Sequence, residues 1–451
     1  MDRKLLFKIL LIGLMALLLL IPLALVQDQI RDRSYRQQEV QENIAASSAG
    51  EQHVVGPVLA IQYRETIDVI AEVEATQAQA QAQAQASSRP ALRRKVVERT
   101  LLIAPDELDI DGTTTVETRQ RGIYPVRLFR LDASARGKFS VRPPDELLAG
   151  KSVSQLRAAL VFFVSDPRGI TNNPQVTING KHYRFDSPTA DGKNSLPRLS
   201  IDLGPVDPKQ ALRFDVSLPL QLMGTARLSF APVGESNRIH LTSDWPHPNF
   251  GGRFLPTERR VEEKGFEARW DVSHLARNFD AALDSHSGEV MNISFIDPVN
   301  VYLQSERAVK YGILFIVLTF AGFFLTETLR RAPIHPLQYL LVGLALAIFF
   351  LLLVAFSEHM PFAAAYGIAA VACIGLIAWY LAGAFGGWRQ GAAFGGALTG
   401  LYGVLYGVLL SEDNALLMGS LLMFLALGTV MLTTRRLDWY KLGERRPDGD
   451  K

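Results

Sequence analysis

The chain is short of the residue types on which most chemistry depends. A single cysteine, Cys373, stands among 451 residues, so no intrachain disulfide can form and a large exported domain has to rest on its core alone. Lysine and arginine number 47 against 45 aspartates and glutamates, a formal charge of +2 that argues against nucleic acid as the main partner. No Gly-x-Ser-x-Gly elbow, phosphate-binding glycine loop or Ser-x-x-Lys arrangement occurs. The polar half carries His53, His182, His240, His247, His274 and His286, and no two stand three or four apart as in a helical zinc site. Composition and motifs therefore nominate no catalytic residue, no metal and no cofactor, which points away from an enzyme.

Charge is also scarce in a set of long apolar runs. Leu5 to Val26 is broken only by Lys8, Gly13 and Pro22 and follows Arg3 and Lys4. It is long for a cleaved signal peptide, so it is expected to be an uncleaved anchor with its start in the cytoplasm. Ser294 to Leu329 hands a polar region over to a membrane bundle, with spans expected at Val309–Glu327, Leu337–Phe356, Phe362–Leu381, Gly391–Leu410 and Ala415–Thr433. The connections with Arg330, Arg331 and Arg389 and the basic tail alternate with Ser357–Met360 and Ser411–Asn414, which hold no lysine or arginine, so both termini are expected inside. These five spans hold no internal charge; Glu327, Glu358, His359, Arg389 and Asp413 fall at expected ends and read as interfacial anchors. Gly391, Gly395, Gly396, Gly400, Gly403 and Gly407 lie on one span, several of them four apart, a spacing that lets helices approach closely. Packing within the chain is the first use for it, a homo-oligomer face the second.

Gln27 to about Asn43 reads as a helix leaving the membrane. Beyond it, short runs of period-two alternation recur about every ten residues, from Val54–Ile61 and Thr66–Val73 to Gly265–Val272 and Asn292–Ile296, with turns such as Asn179-Gly180 between them. The Gln-Ala tract at Gln77–Ala86 is expected at the tip of a hairpin. The fold class follows: a membrane α-helical bundle of six spans with a large all-β, sandwich-like domain inserted between spans one and two. The expected division is 1–26 anchor, 27–308 exported β-rich domain, 309–433 five-helix bundle and 434–451 cytoplasmic tail.

The most distinctive string is Asp244-Trp-Pro-His-Pro-Asn-Phe-Gly-Gly-Arg-Phe-Leu-Pro256. Its prolines and glycines impose a fixed loop, whose aromatics either fill the end of the sandwich or offer a binding surface with Trp245, Phe250 and Phe254 as apolar contacts and His247, Asn249 and Arg253 as polar ones. At the membrane junction, Asp297, Pro298, Asn300 and Arg307 are candidates for fixing the domain on the bundle. Together with Arg121–Val126, Phe295–Tyr302, Arg307–Tyr311, Ile334–Tyr339 and Thr434–Tyr440, this loop resembles the CreD family of bacterial inner-membrane proteins. The resemblance implies a periplasmic β domain, an association with colicin tolerance and with the Cre two-component regulon, and a role in keeping the envelope intact; it carries over no catalytic or ligand residue. The expected partners are the lipid bilayer and an envelope protein or lipid. The alternative is a permease for a lipid or hydrophobic solute.

Overall fold

Period-two alternation is realised as two β-sheets. In a computed structural model, residues 3–70, 92–141, 153–189, 196–207, 210–283, 288–295, 297, 300–330, 334–410 and 415–435 are described. The strands are β1 (Gln52–Ile70), β2 (Leu92–Ile103), β3 (Glu107–Arg121), β4 (Tyr124–Val141), β5 (Val153–Val164), β6 (Gln175–Ile178), β7 (Lys181–Arg184), β8 (Arg198–Pro205), β9 (Leu212–Thr225), β10 (Arg227–Phe230), β11 (Ser236–Ser243), β12 (Asn249–Gly252), β13 (Glu258–Glu262), β14 (Gly265–Ser273) and β15 (Met291–Ser294). One sheet has the order β12-β15-β10-β1-β5-β8, with β2 also on β1, and the other β13-β14-β11-β3-β4-β9-β6-β7. Buried and exposed residues alternate along most of β4, so one face is solvated. Its buried Phe129, Leu131 and Phe139 share one core with Leu59, Phe162 and Ile201 of the other sheet. Asn179 and Gly180, with φ of 49° and 77°, make the two-residue link between β6 and β7 that demands left-handed backbone at both positions.

Several strands differ from their expected limits. β1 is continuous where two strands, Val54–Ile61 and Thr66–Val73, were expected, because Gln62 to Glu65 between the runs stay paired with β2. β1 and β2 pair antiparallel out to Ile70 opposite Leu92, as a hairpin, while the Gln-Ala tract lies outside the described residues. The string read as an unbroken loop contains β12, which pairs with β15 through backbone alone and so needs no apolar alternation.

Apart from a single turn at Phe279–Ala282, the helices described are α1 (Arg3–Leu18), α2 (Leu20–Ser47), α3 (Val301–Lys310), α4 (Gly312–Arg330), α5 (Pro336–Ser357), α6 (Phe362–Ala384), α7 (Trp388–Leu410) and α8 (Ala415–Thr434). Among the described residues, four helices are long and apolar enough to cross a membrane: Leu6–Ser47, α5, α6 and α7; α3 and α4, bent by 42° at their junction, supply a fifth if counted as one. The chain forms two compact units. The helical one comprises Met1–Gln38 with Val299–Lys451, and the β unit, Glu39–Pro298, is narrower than the expected 27–308. The difference arises because residues on both flanks are helical and bond to other helices, as in the Asn300 to Gln37 hydrogen bond of 3.4 Å.

The first helix is built into its unit. Leu19, Leu23, Val26 and Ile30, spaced four, three and four, are all buried, forming the narrow stripe of a packed seam. Glycines make room for it: a Cβ on Gly343 of α5 would stand 2.0 Å from Leu19 Cδ1, and one on Gly312 would stand 3.0 Å from Leu23 Cδ2. The glycines of α7 divide in two. A Cβ on Gly391 would meet the Ala378 carbonyl oxygen at 2.3 Å and one on Gly395 the Ala378 Cβ at 3.1 Å, so both seat α7 on α6, whereas Gly396, Gly400 and Gly403 have nothing within 4 Å and Gly407 is half-buried. Gly343→Val is expected to cost about 1–3 kcal/mol through overpacking against Leu19. Gly396→Val should leave stability nearly unchanged. Unfolding of both variants in detergent by graded denaturant checks the contrast, and equal losses would remove the special role of the seat.

Candidate functional site

One residue from each of the two groups singled out, Trp245 of the loop and Asp297 of the junction, meets the same arginine. Gly122, with φ of 65°, turns the chain into β4, and Arg127 is the fourth residue of that strand. Its guanidinium donates to Asp297 Oδ1 at 2.6 Å and to the Thr118 hydroxyl, and its Cζ stands 4.8 Å from the centre of the Trp245 ring. A planar, permanently charged fork suits this combined task of stacking on an aromatic face and pairing with a carboxylate. Arg127 thus joins the Trp245 loop to the segment that leaves the β unit.

The loop itself is held from below. Ser243 Oγ accepts the Trp245 backbone N–H at 3.2 Å, the Trp245 indole N–H donates to the His247 carbonyl at 2.8 Å, and the two rings meet at 90° with centroids 6.0 Å apart. Phe250 sets its ring edge against Phe266 at 5.4 Å and Trp270 at 5.8 Å, and the Phe254 carbonyl accepts the Trp270 indole N–H at 3.2 Å. Arg253 forms an ion pair with Glu289, itself 2% exposed. Trp245, Phe250 and Phe254 are all half-buried and packed against the core, while His247, Asn249 and Arg253 are exposed.

Of the junction residues, Asp297 carries the ion pair to Arg127, and Pro298 lies outside the described residues. Asn300 caps α3, its side-chain oxygen accepting the Tyr302 N–H at 2.9 Å, and Arg307 lies within that helix. No group of three or more His, Cys, Asp or Glu able to hold a metal occurs among the described residues.

In the helical unit two of the carboxylates read as interfacial anchors, Glu327 and Glu358, prove to be buried, and the third, Asp413, lies outside the described residues. Glu327 pairs with Lys8 of α1 and accepts the Ile334 N–H at 3.0 Å and the Tyr339 hydroxyl at 2.8 Å; its side chain is 9% exposed. Glu358, 8% exposed, takes Arg33 Nε of α2 at 3.4 Å and the Tyr302 hydroxyl at 3.2 Å. Buried charge persists only where it is paired and hydrogen-bonded, and here the first helix brings the cation to both carboxylates. Lone Lys8 inside an apolar run was the signal for the first pair. Arg127, Tyr302 and Tyr339 carried no such mark. Between these pairs aromatics fill the interior: the Tyr402 ring meets Phe349 at 4.7 Å and Phe315 at 5.2 Å, and its hydroxyl donates to Cys373 Sγ at 3.3 Å.

An apolar helical unit fastened by buried ion pairs, with a cystine-free β-sandwich carried between its helices in sequence, defines an integral membrane protein with a large polar domain. A family model described as "Inner membrane protein CreD" matches residues 4–440, and the chain belongs to that family. It is 35% identical over 431 residues to the inner membrane protein CreD of Escherichia coli K12, covering 94% of this chain and 91% of that one. Among solved structures, an M1 zinc metallopeptidase from Deinococcus radiodurans aligns over 42% of each chain at 9% identity with a TM-score of 0.20, too low to bear on fold or chemistry.

Proposed function

We propose that the β unit is an exported, periplasmic binding module that captures an envelope protein or lipid, and that the helices anchor it as six spans with both termini in the cytoplasm. In this reading the protein is not an enzyme and supports the integrity of the cell envelope under stress. The observation that carries the reading is Arg127. It ties Trp245, on the loop with the exposed His247 and Asn249, to Asp297, where the chain leaves the β unit, so occupancy of the loop is felt at that exit. The absence of lysine and arginine from Ser357–Met360 and Ser411–Asn414 supports the orientation. The aromatic filling around Tyr402 weighs against the permease alternative.

Photocrosslinking probes at Trp245 and His247, with a control in the Gln-Ala tract, test this in cells. A specific envelope protein or lipid, identified by mass, is expected at the first two positions and not at the third. Its yield should fall several-fold in Arg127→Ala. Capture no different from the control at both positions would remove the loop from the function.

A further inference from the structure

We propose that His240 is a proton-operated clasp on the solvated face of the eight-stranded sheet, tying β3 to β14 across β11 when charged and releasing one of them when neutral. His240 sits in the middle of β11, with β3 on one side and β14 on the other. Its Nδ1 stands 3.2 Å from Asp111 Oδ1 on β3, and its Nε2 stands 3.0 Å from Glu267 Oε1 on β14. Strands two places apart are separated by about 10 Å, so the two carboxylates share nothing but this ring. An imidazolium has two N–H groups and serves both. A neutral imidazole has one, and it turns a lone pair toward the other carboxylate, so loss of the proton replaces an attraction with a repulsion.

The surroundings decide which form is favoured. Arg269 lies directly across from His240 on β14 and Arg238 two residues earlier on β11, and both oppose the charge. Asp271 occupies both, at 2.9 Å and 3.6 Å. Asp109 of β3 adds a further anion, and the outer strand β13 contributes Glu258, Arg259 and Arg260 around a cavity of about 730 Å³ that His240 lines. The hydrogen bond to Glu267, and after it that to Asp111, holds the His240 pKa above 6.5 against desolvation. His53 in the same unit shows the opposite case: burial lowers it to about 4 and it stays neutral. Because the His240 pKa is raised, the clasp is complete below 6.5 and is lost as pH climbs through the folded value. In the exported placement proposed above, this face meets the pH outside the cytoplasm; the titration itself does not depend on that placement.

The test uses the full-length protein in lipid nanodiscs with ¹³C-labelled histidine, His240 being assigned by the signal lost in His240→Gln. Its midpoint should lie above 6.5. Asp111→Asn and Glu267→Gln should each lower it. At about pH 5.5 the wild-type β unit should melt a few degrees above His240→Gln, with the gap closing by about pH 8.5. The gap should also shrink in high salt, since His240 is 33% exposed and its partners 69% and 53%. A wild-type midpoint at or below 6.5, or a melting gap that does not change with pH, would overturn the clasp.

Discussion

Lys8→Ala is expected to cost the helical unit about 3–5 kcal/mol, because it leaves the Glu327 carboxylate buried without its cation. The neighbours that remain, the Ile334 N–H and the Tyr339 hydroxyl, can solvate part of that charge but cannot neutralise it. Lys8→Met combined with Glu327→Gln should recover most of the loss, since glutamine can still accept from Tyr339 and methionine fills the lysine's volume. A double-mutant cycle on the full-length protein, unfolded in graded denaturing detergent, measures the coupling. Additive single losses would mean that the two side chains do not act as a pair.

Trp270→Ala should cost about 3–5 kcal/mol in the β unit, the range for deleting a buried aromatic. Trp270 is 1% exposed, packs against the Phe250 ring and donates its indole N–H to the Phe254 carbonyl, so it holds the Trp245 loop from beneath as well as filling the core. Trp270→Phe separates the two contributions. It keeps most of the ring volume and leaves the Phe254 carbonyl without its donor, at a cost of about 1–3 kcal/mol. Thermal melting of both variants gives the magnitudes, and crosslinking from Trp245 reports whether the loop keeps its place. If the two variants melt alike, the hydrogen bond outweighs the packing.

How much of this was legible in the sequence depended on whether a feature was local. Strands such as β6 announced themselves because alternation is a property of consecutive residues. β13 escaped because all its residues are exposed and it has no apolar face to show. β12 escaped because Gly251 and Gly252 contribute no pattern, and a backbone ladder to β15 needs none. Sheet order was out of reach: the parallel pairings of β1 with β10 and β3 with β11 join strands more than a hundred residues apart. The Trp245 loop was visible from its composition. Its partner was not, since nothing near Arg127 names a tryptophan 118 residues away. Glu327 looked like an anchor at a helix end because its burial is conferred by α1 and Tyr339, which lie elsewhere in the chain.

The two charge pairs of the first helix act together as a ruler. Lys8 and Arg33 are 25 residues apart, which is about 37 Å of helix at 1.5 Å per residue, somewhat more than the roughly 30 Å of hydrocarbon in a bilayer. One cation is spoken for near each end of the span, by Glu327 and by Glu358. A slide of a single turn, about 5.4 Å, would part both pairs at once and pull Leu19 off its seat on Gly343. Piston motion along this helix is thereby opposed at both ends of the span, and the first helix is held in register against α4 through Glu327 and against the end of α5 through Glu358.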